Sequence, residues 1–212
     1  MNKRASKASL RAACRERRRL LPAAERQRAE QAIAVAVGSL SELSVPKADG
    51  GVLAYAAMGS EVSTQKIMNE LWATRHRVAL PRVMDAGQGQ MQAVWIEQGA
   101  VLESGPHGTW APPLGVVLNP DVDPPTVVLV PGVAFCPQTG MRLGQGGGFY
   151  DRYLARVPKA LVVGLAFATQ CDEAVAGLAQ PHDRGVDVLV TEAGVRRFSP
   201  ASSASAPSSF EH

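Results

Sequence analysis

Three segments of this chain are apolar with almost no interruption: TVVLV at 126–130, ALVVGLAFA at 160–168 and VDVLV at 186–190. A strand with one wet face alternates polar and apolar residues. These do not alternate, so they must be dry on both faces, which is the condition of a parallel sheet covered by helices on each side. GVLAYAA (51–57) has the same character. RVALPRV (77–83) and MQAVWIE (91–97) read as further strands joined by the turn DAGQGQ. Helical spacing fills the gaps. Residues 6–20 form a basic helix with Leu10, Ala13 and Cys14 on its other side, and Pro22 opens a second helix carrying Ile33, Val37 and Leu40. STQKIMNELWATR (63–75) is a third helix with Ser63 as its N-cap, and YDRYLARV (150–157) begins a short fourth. The order of elements specifies an α/β fold: a single three-layer domain over 1–198 with a largely parallel sheet and basic N-terminal helices, followed by a disordered Ser/Ala/Pro-rich tail at 199–212. Within it, TVVLVPGVAF (126–135) is one strand and ESGPHGTWAPP (103–113) a Gly/Pro loop.

At 212 residues the chain buries a normal core. No run of 18 apolar residues is present, and the basic N-terminus lacks the apolar stretch of a secretory signal. Cys14, Cys136 and Cys171 stand far apart without a CxxC pair, a spacing suited to a reducing cytosol rather than to zinc or disulfides. The net charge of +3 hides an asymmetry. Residues 3–28 hold ten of the 22 Lys/Arg but two of the 19 Asp/Glu, so 12 cations face 17 acids in the remainder. The basic segment favours an anionic ligand, and an acidic body with no recognisable nucleic-acid module points away from DNA or RNA.

The stretch RLGQGGGFYDRY (142–153) carries the most chemistry. Gly144, Gly146, Gly147 and Gly148 allow close backbone approach ahead of a helix N-terminus, an arrangement that binds phosphate. Arg142 adds a fork of donors, and Asp151 is placed to hold a magnesium ion. A glycine cluster alone reads equally as a flexible turn, and the pattern is neither a Walker loop nor a GxGxxG. Lys7 and Arg11 are four apart and share a helix face; a solvated basic face has the same spacing. Glu61 follows a buried strand, where it can bind a polar heterocycle or merely complement a helix dipole. Trp110 can stack on a flat ligand or cap the core. Asp183 and Asp187 lie in PHDRGVDVLVTE, where two acids can complete a metal shell or serve turn chemistry, with His182 a surface residue. Cys136 has no base partner, which leaves it a packing role.

Taken together, KASLR (7–11), YAAMGSEVST (55–64), VLVPGVAFCPQTGMRLGQGGGFYDRYL (128–154) and PHDRGVDVLVTE (181–192) resemble the 5-formyltetrahydrofolate cyclo-ligase family, also called methenyltetrahydrofolate synthetase. The resemblance implies a cytoplasmic monomeric ligase that uses ATP and Mg2+ to cyclise 5-formyltetrahydrofolate, free or polyglutamylated, to 5,10-methenyltetrahydrofolate. By the same resemblance Lys7, Arg11, Arg142, Leu143, Gly144, Gln145, Gly146, Gly147, Gly148, Phe149 and Tyr150 would bind ATP. Ala56, Glu61, Trp110, Phe149 and Tyr150, with Tyr55 adjoining, would bind the folate, and Asp151 and Asp187 the metal. Gln145 stands where a basic or aromatic residue is common in the family.

Overall fold

The computed structural model describes residues 6–46, 50–180 and 182–198. The expected turn at 48–51 falls partly, and the expected tail wholly, outside them. In chain order the elements are α1 (Lys7–Arg19), α2 (Ala23–Gly38), β1 (Val52–Leu53), α3 (Gln65–Ala73), β2 (Val78–Asp85), β3 (Gln90–Ile96), β4 (Glu103–Ser104), β5 (Trp110–Ala111), β6 (Val117–Leu118), β7 (Val127–Val130), β8 (Ala134–Phe135), β9 (Arg142–Leu143), α4 (Phe149–Arg156), β10 (Leu161–Leu165), β11 (Val188–Thr191) and β12 (Gly194–Arg197). Eight strands form one sheet in the order β12-β11-β10-β7-β1-β2-β3-β6. The run β11-β10-β7-β1-β2 is parallel, and the flanking β12, β3 and β6 are antiparallel.

The missing alternation in the strands is explained by two helical layers. Val127, Leu129, Val163, Leu165, Val188 and Val190 pack with Ile33, Ala34 and Val37 of α2 and Ile67, Met68 and Leu71 of α3. The intervening Val128, Val130, Val162 and Leu189 pack with Tyr153, Leu154 and Val157 on the side of α4. Helix α1 stands outside both layers. It lays Leu10 and Cys14 on Val133, Ala134, Cys136 and Leu143 of the β8–β9 hairpin. Ser6 caps it, accepting from the Ser9 amide at 3.1 Å while Ser9 accepts from the Ser6 amide at 3.0 Å.

Several local expectations are corrected. The 51–57 run pairs in the sheet only at its start; beyond Ala54 it peels away, and Thr64 donates its hydroxyl to the Tyr55 carbonyl. Helix α3 therefore starts at Gln65, with Thr64 rather than Ser63 at the N-cap. The 126–135 run is two strands, because Pro131 has no N–H to continue the ladder. The 103–113 loop contains the β4–β5 hairpin. In α1 the buried residue beside Leu10 and Cys14 is Arg18, and Ala13 is exposed. Pro22 occupies the N-cap of α2, one residue before the helix.

The outer edge of the sheet is tied by a two-pronged ion pair: Arg197 donates from Nη1 and Nη2 to the two oxygens of Glu42 at 2.8 and 3.0 Å. The hydrogen bonds from Arg197 hold the Glu42 carboxyl down at about 2. A depressed carboxyl stabilises the fold at pH above the unfolded value of 4.5 and loses that contribution as pH falls through the folded one. Because both side chains are partly solvated, the loss amounts to about 1 kcal/mol or less. Urea titrations between these pH values should show the wild type losing this increment and Arg197→Met lacking it.

Candidate functional site

In the sheet, β2 lies on one side of β1 and β7 on the other. Such a switch point opens a crevice beyond the carboxyl ends of the strands, where α/β proteins bind ligands. A cavity of about 950 Å³ lies there, lined by Tyr55, Ala56, Met58 and Glu61 after β1, by Pro131 and Gly132 after β7, and by residues 142–152.

One end is polar. Gly146 has φ 111° and Gly148, the N-cap of α4, has φ 67°, so the loop turns its backbone in conformations that side-chain-bearing residues avoid. Arg11 Nε donates to the Gly144 carbonyl at 2.8 Å, tying α1 to this loop. Lys7 Nζ donates to Asp183 Oδ2 at 2.9 Å and to Gln180 Oε1 at 3.2 Å. Arg142 Nη2 donates to Asp151 Oδ1 at 2.8 Å, and the same oxygen accepts from the Arg184 amide at 3.3 Å. The Arg142 side chain is 4% exposed, and its Nε–H has no partner. Burial alone would raise the Asp183 carboxyl, but the hydrogen bonds from Lys7 and the Gln180 amide outweigh it and hold the group below the usual range. The polar end thus sets two cation–carboxylate pairs beside a bare backbone.

The other end is apolar with one buried acid. Pro81, Val83 and Met91 from the β2–β3 arm line it together with Phe149 and Tyr150. Glu61 is 6% exposed; it accepts from the Met58 amide at 3.1 Å and from Gln145 Nε2 at 3.4 Å. Burial, reinforced by the Glu61 charge, pushes the Tyr150 phenol well above its usual value, so it stays a neutral donor at physiological pH. The Arg142 guanidinium sits 5.7 Å from the Tyr150 ring centroid. Trp110, on the β4–β5 hairpin, lines the cavity while 52% exposed.

The structure brings Lys7, Arg11, Ala56, Glu61, Trp110, Arg142, Leu143, Gly144, Gln145, Gly146, Gly147, Gly148, Phe149, Tyr150 and Asp151 to one cavity. Asp187 is the exception. It immediately precedes β11, at the amino end of the parallel strands and away from the crevice at their carboxyl ends, and Oδ2 accepts from the Val162 amide at 2.8 Å. The acid that joins Asp151 at the polar end is Asp183, four residues earlier. Sequence reasoning preferred Asp187 to Asp183 as the partner of Asp151, and the structure reverses that order, because spacing does not tell which acid faces the crevice. Met58, Val83, Met91 and Gln180 were missed: as ordinary residues of strands and loops they carry no local signal. Cys136 is buried in packing against α1, and all three cysteines are free.

A model of the 5-formyltetrahydrofolate cyclo-ligase family matches residues 3–192. The 5-formyltetrahydrofolate cyclo-ligase of Mycolicibacterium smegmatis is 30% identical over 189 residues, covering 88% of this chain and 93% of its own length. That of Haemophilus influenzae is 27% identical over 164 residues, covering 77% and 86%. The solution structure of Aquifex aeolicus 5,10-methenyltetrahydrofolate synthetase superposes with a TM-score of 0.74 at 32% identity, covering 97% of this chain and 96% of the other. A synthetase from Mycoplasma pneumoniae, 21% identical, shares the fold with a TM-score of 0.68, covering 89% and 99%.

The loop geometry carries its own test. A Cβ at Gly148 would be forced into a left-handed conformation and meet the Arg152 guanidinium at 2.9 Å. Gly148→Ala should lower stability by about 1–2 kcal/mol in urea unfolding.

Proposed function

This chain belongs to the 5-formyltetrahydrofolate cyclo-ligase family, and from that premise we propose that it closes 5-formyltetrahydrofolate to 5,10-methenyltetrahydrofolate with conversion of ATP to ADP and phosphate. The observation that carries this reading is a single cavity with a glycine-rich loop and three cations at one end and an apolar, aromatic pocket around buried Glu61 at the other. A reaction that joins a nucleotide's terminal phosphate to a flat heterocycle needs both ends within reach of one another.

The chemistry assigns the work. A formamide carbon is a poor electrophile. Transfer of the γ-phosphoryl group to the formyl oxygen breaks its bond to ADP and leaves a phosphorylated iminium carbon. N10 of the same molecule attacks that carbon and loses its proton, and phosphate departs with the former formyl oxygen. No nucleophile from the protein is required; positioning and charge neutralisation provide the acceleration. The amides of 144–148 and the cations Lys7, Arg11 and Arg142 bind the phosphates. Glu61 accepts hydrogen bonds from the pterin's N–H groups, Phe149 and Tyr150 supply stacking faces, and Trp110 covers the mouth.

The donor set fits magnesium. Among the described residues no cluster of three or more His, Cys, Asp or Glu could hold a metal by itself. Two carboxylates, Asp151 and Asp183, stand at the phosphate end, and magnesium characteristically takes one or two carboxylates and completes its shell with phosphate oxygens and water. When bound, the ion would neutralise charge developing on the phosphate oxygens.

The first test is the growth of the methenyl chromophore when purified protein is mixed with 5-formyltetrahydrofolate, magnesium and ATP; absence of an ATP-dependent rise from folded protein rejects the reading. Arg142→Ala should raise the KM for ATP far more than the KM for the folate, and equal losses would remove the phosphate assignment. The paired charges yield a less obvious outcome. Lys7 is paired with Asp183, so a phosphate oxygen must displace that carboxylate to engage it. Asp183→Asn should therefore tighten ATP binding measured calorimetrically in EDTA, while weakening the gain that magnesium confers on the wild type.

A further inference from the structure

Arg18 is a charge on an apolar stripe. It continues the series Leu10, Cys14, Arg18 along the buried face of α1 and is itself 5% exposed. A buried guanidinium normally finds a carboxylate, since an unpaired one costs several kcal/mol in desolvation. Among the described residues no carboxylate lies within 4.0 Å of Arg18. Its hydrogen bonds go elsewhere: Nε donates to Ser60 Oγ at 2.9 Å, and Nη1 is 3.4 Å from the Gly132 carbonyl. Ser60 immediately precedes Glu61, and Gly132 lies in the cavity wall after β7.

We propose that Arg18 is a positioning residue for the reaction: it ties the loop that presents Glu61 to the loop that leaves β7, and balances the buried Glu61 charge from behind. Neighbouring contacts fit this. Arg26 donates to the Ser60 carbonyl at 2.7 Å and also to the carbonyl of Arg18, so the two arginines grip one loop from two helices. Gln170, 1% exposed, donates to the same Gly132 carbonyl at 2.7 Å, fixing the far anchor of the tie. Burial draws the Arg18 pKa down, and the Glu61 carboxylate is the strongest charge acting in the opposite sense. Among the described residues neither charge has a salt-bridge partner within 4.0 Å, and Glu61 is the nearest thing to a counter-charge that Arg18 has. Arg18 also stands apart from Lys7, Arg11 and Arg142, because it does not line the cavity.

The inference rests on Glu61 binding the folate, and its test separates the two claims. Arg18→Met should raise the KM for 5-formyltetrahydrofolate about tenfold or more, the scale of losing a hydrogen-bonded charge, while the KM for ATP moves less than about twofold. Arg18→Lys restores the charge without the two-pronged reach and should fall between. Ser60→Ala removes only the Nε–Oγ bond; it serves if Arg18→Met does not fold, and should raise the folate KM about threefold. Unchanged folate KM in Ser60→Ala and Arg18→Met, or equal rises in both KM values, overturns the positioning role, whatever happens to the melting temperature. Glu61→Gln is the control. If it leaves the folate KM unmoved, the Glu61 assignment falls and this inference falls with it; if it raises that KM while the Arg18 and Ser60 variants do not, only the inference falls.

Discussion

The central strands are dry on both faces. Val127 and Leu129 enter one helical layer, Val128 and Val130 the other. A ladder so enclosed must satisfy its backbone groups within the sheet, and it can release the chain only at its rims. At the carboxyl rim Pro131 interrupts the β7 ladder, and the segment after β1 peels away at Tyr55. Backbone and polar side chains first meet open space there, and every cation and acid of the cavity is held within reach of that rim. The site depends on the sheet because the sheet decides where polarity is allowed to begin.

That rim carries more charge than a pocket of its size would tolerate unpaired. The structure resolves this internally: Lys7 faces Asp183, and Arg142 faces Asp151. Pairing holds each side chain in one geometry and spares the rim an uncompensated buried charge. In the proposed chemistry the cations turn to phosphate and the carboxylates to a metal ion, so each member of the two pairs has a ligand of its own to exchange for its partner. Helix α1 is central to this, since it supplies Lys7 and Arg11 to the cavity and Arg18 to the scaffold behind it while packing on the β8–β9 hairpin instead of on the main sheet.

The glycine loop was legible because its chemistry is unusual at short range: bare backbone, Arg142 and Asp151 within ten residues of one another. The strands at 127–130, 161–165 and 188–191 were legible because burial on both faces removes all alternation. Elements of two residues, such as β5, β6 and β9, were not, since pairs that short depend on partners brought from elsewhere. β12 escaped for a different reason: its four residues are exposed, and one valine among them sets no alternation. Arg18 was hidden within a run of arginines, where composition says solvated helix; only its place in line with Leu10 and Cys14 marks it as inward.

The sequence by itself determined the α/β class, the dry parallel core, the glycine-rich loop ahead of α4 and the membership of the chain in its family, because each is written in local pattern or in a long contiguous motif. Tertiary structure alone decided which residues meet. It set Asp183, and not Asp187, beside Lys7, and turned Arg18 inward behind Glu61. It also made one cavity from segments separated by more than a hundred residues. Spacing along the chain constrains which face of an element a side chain occupies; which crevice that face looks into depends on the order in which strands assemble, and that order is settled by packing.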